Sequence, residues 1–442
     1  MRRRLVVAGI GLVALLGVAA GLCELVLDCN VRGGRGQDLF RGLAGSGEGE
    51  TVLPPGFTQD VLAGGLELPT SLALLPDRRV LVGEKAGTVR VVEDGRLRAE
   101  PFLDISDRVA TFGYRGLLAI EADPNFARNG LLYVLYVSEE AGADEESPRT
   151  VRLSRFGSDG ERADALDEEV VLGGDGRGSC NDLRGGSDCI PCDGDHCGGD
   201  VRFAPDGTLM VTTGDGWNGS SGFNANTLRA QRLDTLAGKL LRVTRDGKGV
   251  PSNPFWTGDA RDNRSKVWAY GLRNPFRFDL EPDGDVAWIG DVGWNRWEEV
   301  NVSSRGANFG WPCYEGPERT PEYEEHETCR ALHARGRSAV RFPRLAYERG
   351  SVTGGVFYTG DAFPPAYRNA YVFGDWSRSW LRVLPEGARE SRGQFATRTA
   401  GPVELAVAAD GALLYVAANA GELRRIVHEG GQEGGDQAAM RR

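Results

Sequence analysis

One segment of this sequence occurs twice. Asp195-His196-Cys197-Gly198-Gly199-Asp200-Val201-Arg202-Phe203-Ala204-Pro205-Asp206-Gly207 returns in outline as Leu272-Arg273-Asn274-Pro275-Phe276-Arg277-Phe278-Asp279-Leu280-Glu281-Pro282-Asp283-Gly284. Each copy ends on a Pro-Asp-Gly turn and runs on into a short apolar strand and another Gly-Asp. Ten residues before the turn Asp stand His196 in one copy and Arg273 in the other. A repeated strand–turn–strand unit restricts a chain to stacks of equivalent sheets, because a single unit cannot bury its own apolar face.

The same outline appears in four further places. It runs over 69–77 into Val80-Leu81-Val82, and from Gly116-Leu117-Leu118-Ala119-Ile120 through Pro124-Asn125-Phe126 into Leu131-Leu132-Tyr133-Val134. It returns from Gly355-Val356-Phe357-Tyr358 to Ala370-Tyr371-Val372-Phe373, and from Val403-Glu404-Leu405-Ala406-Val407 through Asp410-Gly411 to Leu414-Tyr415-Val416. Glycine supplies 63 of 442 residues, about twice its usual share, which suits short strands with tight connections. No long 3.6-period stretch competes. Six copies with unequal insertions predict an all-β, six-bladed β-propeller. Corresponding ends of the innermost strands then meet at one mouth of the channel. His196 and Arg273 should both reach it, with Tyr114 and Arg115 at a similar place in the second copy.

The ends of the chain read differently. Met1-Arg2-Arg3-Arg4 precedes an uncharged stretch over 5–22, so residues 1–29 are expected to be a signal peptide or an N-terminal membrane anchor. Residues 30–50 read as a flexible linker, 51–428 as the propeller and 429–442 as a disordered tail. Either fate of the leader exports the rest, to a periplasmic or extracellular location with tethering by the N-terminus as one outcome. Eight cysteines agree with an oxidising compartment. Cys180, Cys189, Cys192 and Cys197 cluster around one C-x-x-C, so a zinc knuckle stands beside the favoured disulfides. Cys313–Cys329 is the simplest pairing. The net charge of −11 argues against nucleic acid as a partner.

His196 is one of four histidines, and a neutral imidazole suits a general base; a structural histidine bonded to a carbonyl is the alternative. His326, His333 and His428 are expected to be solvated surface residues. Arg273-Asn274-Pro275 sets a fixed cation beside an amide, a pairing for ligand carboxylates and carbonyls, against the alternative of an arginine that satisfies strand-end carbonyls. The loop from Asp291-Val292-Gly293-Trp294 to Asn301 has a backbone able to offer carbonyl oxygens to a hard cation, or is an ordinary acidic loop.

Read together, these pieces resemble the soluble pyrroloquinoline quinone (PQQ)-dependent sugar dehydrogenase family, also called glucose/sorbosone dehydrogenases. The similar stretches are Tyr114-Arg115-Gly116-Leu117-Leu118, His196-Cys197-Gly198-Gly199, Gly238-Lys239-Leu240-Leu241-Arg242, Gly271-Leu272-Arg273-Asn274-Pro275, Asp291-Val292-Gly293 with Glu298-Glu299-Val300-Asn301, and Asn308-Phe309-Gly310-Trp311-Pro312. They spread over roughly 53–427. The resemblance implies an aldose dehydrogenase that forms a lactone, with His196 as base and Arg273 facing the developing quinol oxygen. It implies that Asn274 contacts PQQ and that the carbonyls of Gly293 and Trp294 hold Ca2+. Tyr114 and Arg115 fall near the cofactor, as does Arg378 by a looser correspondence. Tyr114 departs from the Gln or Glu common in relatives, and Trp294 from a smaller residue. A sugar and an external electron acceptor are the implied partners. The other readings are a non-catalytic propeller that resembles hedgehog-interacting protein and a zinc hydrolase built on the cysteine cluster.

Overall fold

Each of the six copies forms the two inner strands of a small antiparallel sheet. The computed structural model describes residues 49–431 apart from 141–142, 146, 175–179, 181–186, 218–221, 283 and 389. The leader, nearly all of the linker and most of the tail lie outside the described residues. The innermost strands are Pro69–Leu74, Leu117–Ala122, Gly198–Phe203, Pro275–Leu280, Val352–Phe357 and Pro402–Val407, taken as blades 1 to 6. Each contacts the next and the sixth contacts the first, so the sheets form a closed six-bladed propeller.

The ring is fastened by the two ends of the domain. Phe57–Ala63 supplies the outer strand of blade 6, antiparallel to Glu422–His428, with Phe57 opposite His428. This strand escapes the repeat reading because it has no turn partner beside it in the sequence. Separate apolar clusters fill the gaps between successive blades. Leu135, Leu153, Val211 and Leu241 join blades 2 and 3; Met210, Leu240, Phe278 and Ile289 join blades 3 and 4. The alternation of strand side chains sends one set into each gap.

Every innermost strand also carries a bulge within its first residues. A bulge places an extra residue against its partner and re-aims the side chains after it. In blade 4 the residue beyond the bulge is Arg277. Its guanidinium donates to the carbonyls of Gly199 (3.0 Å), Thr70 (2.6 Å) and Leu118 (2.9 Å). Its Nε lies 2.5 Å from a Glu404 carboxylate oxygen, and Arg202 holds the other Glu404 oxygen at 2.7 Å. Asp279 accepts from the Phe357 backbone N–H at 2.7 Å. These bonds tie all six blades across the axis.

Residues 303–344 form a long insertion that returns to the mouth, where Asn308 bridges to Tyr270. A cluster of its own, including Leu228, Tyr314, Tyr323, Leu332 and Val340, surrounds the Cys313–Cys329 disulfide. Cys180–Cys189 and Cys192–Cys197 are likewise bonded, so the cysteine cluster is a disulfide pair and not a zinc knuckle. The remaining histidines are half-buried and employed, contrary to the surface expectation. His326 caps the helix Glu327–Ala334 by accepting from Thr328 N–H, His333 contacts the Cys313 carbonyl, and the His428 ring packs on Phe57.

Replacing Arg277 strands three carbonyls and half-releases a buried carboxylate. Arg277→Met is expected to cost about 3–5 kcal/mol of stability, against roughly 0.5 kcal/mol or less for Arg368→Ala on the surface. Equal denaturant midpoints for the two variants would show that the axial network is dispensable.

Candidate active site

His196 and Arg273 each stand two residues ahead of an innermost strand, as does Arg115 in blade 2. The equivalence suggested by the duplicated segment is therefore structural. The second Gly-Asp of each copy explains how the mouth is braced. It ends or directly follows the second strand, and antiparallel pairing returns that end to the start of the first. Asp291 accepts from the backbone N–H of Arg273 (3.0 Å) and Asn274 (2.7 Å). Asp375 in blade 5 accepts from Ser351 N–H (2.9 Å), and Glu84 in blade 1 from Glu67 N–H (2.7 Å). In blade 3 the strand ends at Thr213, and Asp215, two residues beyond it, holds a side chain instead. Its Oδ1 lies 3.0 Å from His196 Nδ1.

The His196–Asp215 pair is buried and tightly specified. Asp215 also accepts from Trp217 N–H (2.9 Å) and from Trp311 Nε1–H (2.7 Å), and its own N–H donates to the Arg273 carbonyl (2.8 Å). The imidazole stacks on Trp217, centroids 5.0 Å apart. Gly214 permits this approach, since a Cβ there would sit 2.1 Å from the His196 carbonyl oxygen. Burial opposes ionisation of Asp215, but His196, Arg273 and the Trp311 bond outweigh it and hold the carboxyl below its usual range. A carboxylate only accepts, so Nδ1 carries the hydrogen and Nε2 keeps its lone pair. Burial, and after it the charge of Arg273, holds the imidazole below its ordinary pKa; Asp215 pulls the other way without restoring it. The result is an oriented, neutral imidazole with a free acceptor nitrogen.

Arg273 is fixed at both ends. Its backbone is held by Asp291, its Nη1 donates to the Val292 carbonyl at 2.8 Å, and its guanidinium lies over Trp311, 5.4 Å from the ring centroid. Arg273 Nε is buried without a partner among the described residues. Asn274 follows, half-buried. The loop after Asp291 is drawn around one acceptor: Glu315 Oε1 receives the N–H groups of Trp294 (2.7 Å), Asn295 (2.8 Å), Arg296 (2.9 Å) and Trp297 (3.1 Å). Gly293 is required, because a Cβ would lie 1.9 Å from the Trp297 carbonyl oxygen. Three carboxyls lie around this loop. Burial pushes Glu298 up to about 7 and raises Asp291 and Glu299, which also repel each other.

The other sequence-predicted positions divide. Tyr114 is 38% exposed at the mouth. Arg115 is buried, and its guanidinium is directed to the carbonyls of Glu145 (2.8 Å), Asp193 (3.4 Å) and Gly194 (3.4 Å). That position supports the loop carrying His196, which the Cys192–Cys197 disulfide also pins. Arg378 is exposed in blade 5 and donates to the Glu348 carbonyl at 2.7 Å. Lys239 is buried and donates to the carbonyls of Arg229 and Ala230, each at 3.1 Å, and of Ala237. It therefore shapes the mouth loop over 229–237. Cavities of about 540 and 360 Å³ open at the opposite ends of the innermost strands and share no residue with this cluster.

Sequence reasoning missed Asp215 and Trp217 and assigned no role to Trp311. The signal for Asp215 was present in the repeated Gly-Asp. Nothing local marks Trp311 as its partner, since 96 residues separate them.

A six-bladed propeller with a histidine–aspartate pair and a fixed arginine at one mouth sets a proton acceptor beside a fixed positive charge. The match over residues 66–428 to the family described as Glucose / Sorbosone dehydrogenase makes the assignment definite: the chain belongs to that family. It is 26% identical over 322 residues to aldose sugar dehydrogenase YliI of Escherichia coli, covering 72% of this chain and 78% of that protein. Quinoprotein glucose dehydrogenase B of Acinetobacter calcoaceticus is 24% identical over 59% of this chain and 53% of its own. Hedgehog-interacting protein of Mus musculus is 28% identical over 74% of this chain and 43% of its own.

The electrostatics of the pair can be read directly. By NMR, His196 should titrate below the ordinary histidine midpoint of about 6.5, and Asp215→Asn should lower the midpoint further by removing the charge that favours imidazolium. A midpoint at or above the ordinary value would refute the neutral-base assignment.

Proposed function

We propose that this protein oxidises an aldose at its anomeric carbon to the lactone, using PQQ and Ca2+ and passing the electrons to an external acceptor. The observation that carries the reading is the neutral His196, oriented by Asp215 and linked through Asp215 N–H to the backbone of Arg273. His196 Nε2 takes the proton of the anomeric hydroxyl, and Asp215 stabilises the imidazolium that results. Arg273 sets a fixed positive charge where negative charge builds, in a buried setting where such a charge acts strongly. Bound PQQ would supply the two-electron acceptor, taking hydride from the anomeric carbon.

The residues present fit such groups. Arg273 has a buried Nε without a partner among the described residues, and Asn274 offers an amide beside it. Among the described residues neither the Gly293 nor the Trp294 carbonyl accepts a hydrogen bond, and both belong to a loop pre-shaped by Glu315. No group of three His, Cys, Asp or Glu side chains suited to a metal occurs among the described residues, so these carbonyls would carry the ion. Tyr114 would border the substrate, and Arg378 would approach only if its bond to Glu348 opened. Three disulfides support an oxidising, exported location. The likeness to hedgehog-interacting protein supports a second reading, a propeller that binds a partner without chemistry.

Purified protein should be reconstituted with PQQ and Ca2+ and assayed with a dye acceptor across a panel of aldoses. Uptake of PQQ with sugar-dependent dye reduction is expected. His196→Ala should lower turnover by roughly 10²-fold or more while PQQ uptake persists. No uptake at any calcium concentration would defeat the enzyme reading, and undiminished turnover in the variant would remove His196 from it.

A further inference from the structure

We propose that Trp217 is a positioning residue for His196: its indole fixes the plane of the imidazole and favours the imidazolium that forms when His196 takes a proton. The effect on turnover rests on the aldose dehydrogenase reading above; the effect on the protonation of His196 does not.

Trp217 lies in the segment between the strands Leu209–Thr213 and Lys239–Val243 of blade 3, half-buried beside the mouth. Its ring is nearly parallel to the imidazole, with 15° between the planes. Two backbone bonds bring the rings into register. The Asp195 N–H donates to the Trp217 carbonyl (3.0 Å), and the Gly216 N–H donates to the His196 carbonyl (2.9 Å). Trp217 N–H then donates to the same Asp215 oxygen that meets His196 Nδ1. One residue therefore holds the histidine loop, the carboxylate and the face of the imidazole.

The surroundings leave this stack little freedom. Arg229 donates to the Gly216 carbonyl (3.2 Å) and to an Asp193 carboxylate oxygen (2.7 Å). That joins the Trp217 segment to the loop that the Cys192–Cys197 disulfide closes around Asp193, Asp195 and His196.

The protonation of His196 gives the face a use. A neutral imidazole on indole gains packing alone. An imidazolium in the same place lies over the negative face of the π system, and indole attracts a cation more strongly than the other aromatic rings do. Burial strengthens the attraction, because little water screens it. The charges that face the imidazole are Asp215, Arg273 and Asp195: the two carboxylates favour protonation, while burial and Arg273 oppose it. The indole joins the favourable side only as the proton arrives, so it acts on the barrier more than on the resting state. Arg273 lies over the face of Trp311 in the same manner, which sets an indole beside each positive charge of the site.

The test separates the π face from simple burial. Trp217→Leu keeps an apolar cover on His196 and removes the face; Trp217→Phe keeps a face. By NMR on the full chain without cofactor, the His196 midpoint should fall by about 0.5–1 pH unit in Trp217→Leu and stay within about 0.3 of wild type in Trp217→Phe. In turnover with PQQ and Ca2+, Trp217→Leu should lower kcat roughly three- to tenfold and move the acid limb of the pH profile to lower pH. KM and PQQ uptake should stay as in wild type, and Trp217→Phe should restore most of the rate. A tryptophan with a structural role alone would leave the midpoint and the limb in place. An unchanged or raised midpoint in Trp217→Leu, or a Phe variant that behaves as the Leu variant does, would overturn the proposal. If Trp217→Leu does not fold, wild type still decides: the indole ring current should shift the His196 ring protons upfield, and unshifted signals would overturn the stack. Failure to take up PQQ would strike the dehydrogenase reading alone, since the NMR comparison needs no cofactor.

Discussion

The guanidinium of Arg277 is the point on which the propeller turns. A ring of sheets has no single core; it has a cluster in each gap and an axis where six strands meet. At that axis, backbone carbonyls lack the neighbours that a flat sheet would provide, and each one left unsatisfied in a buried place costs about 1–3 kcal/mol. Arg277 satisfies three from three different blades and reaches Glu404 in a fourth. Its charge is admissible there only because Glu404 is itself divided between Arg277 and Arg202. The bulges at the start of every innermost strand make this geometry available by turning those side chains to the axis.

The candidate site is a modification of the same scaffold. A carboxylate at the end of the second strand braces the segment ahead of the first in blades 1, 4 and 5, where it binds backbone N–H groups. In blade 3 the acceptor is turned to His196 and further fixed by Trp311 from the insertion. A structural brace thereby becomes the group that sets a tautomer. The stability of the fold and the orientation of the imidazole share one device, which explains why the residues around it are buried, stacked and bonded at nearly every atom. Arg273 keeps a partnerless Nε beside this order, the kind of unfilled hydrogen-bonding capacity that a ligand-binding mouth retains.

Much of this was legible in the chain. The strand–turn–strand outline located both inner strands of all six blades, and the ten-residue offset from the turn Asp put His196 and Arg273 at equivalent places. Cys313–Cys329 followed from simple proximity. The closing strand Phe57–Ala63 was not legible, because its partner lies at the far end of the domain. Arg115 occupies the equivalent position in blade 2, and its guanidinium is directed to carbonyls of the His196 loop and of Glu145. Residue type and register could not separate an arginine with free capacity from one already employed.

By itself the sequence determined the period, the alternation and the turns, which are local properties carried by neighbouring residues. That was enough for an all-β propeller and for two side chains at one mouth. Only the tertiary structure decided which acceptor meets which donor across the mouth. Asp215 and Trp311 touch because an insertion from blade 4 folds back over blade 3, and Phe223 meets His326 for the same reason. Contacts of that length depend on loop paths and on the packing of the insertion's own core, and no short-range pattern records them.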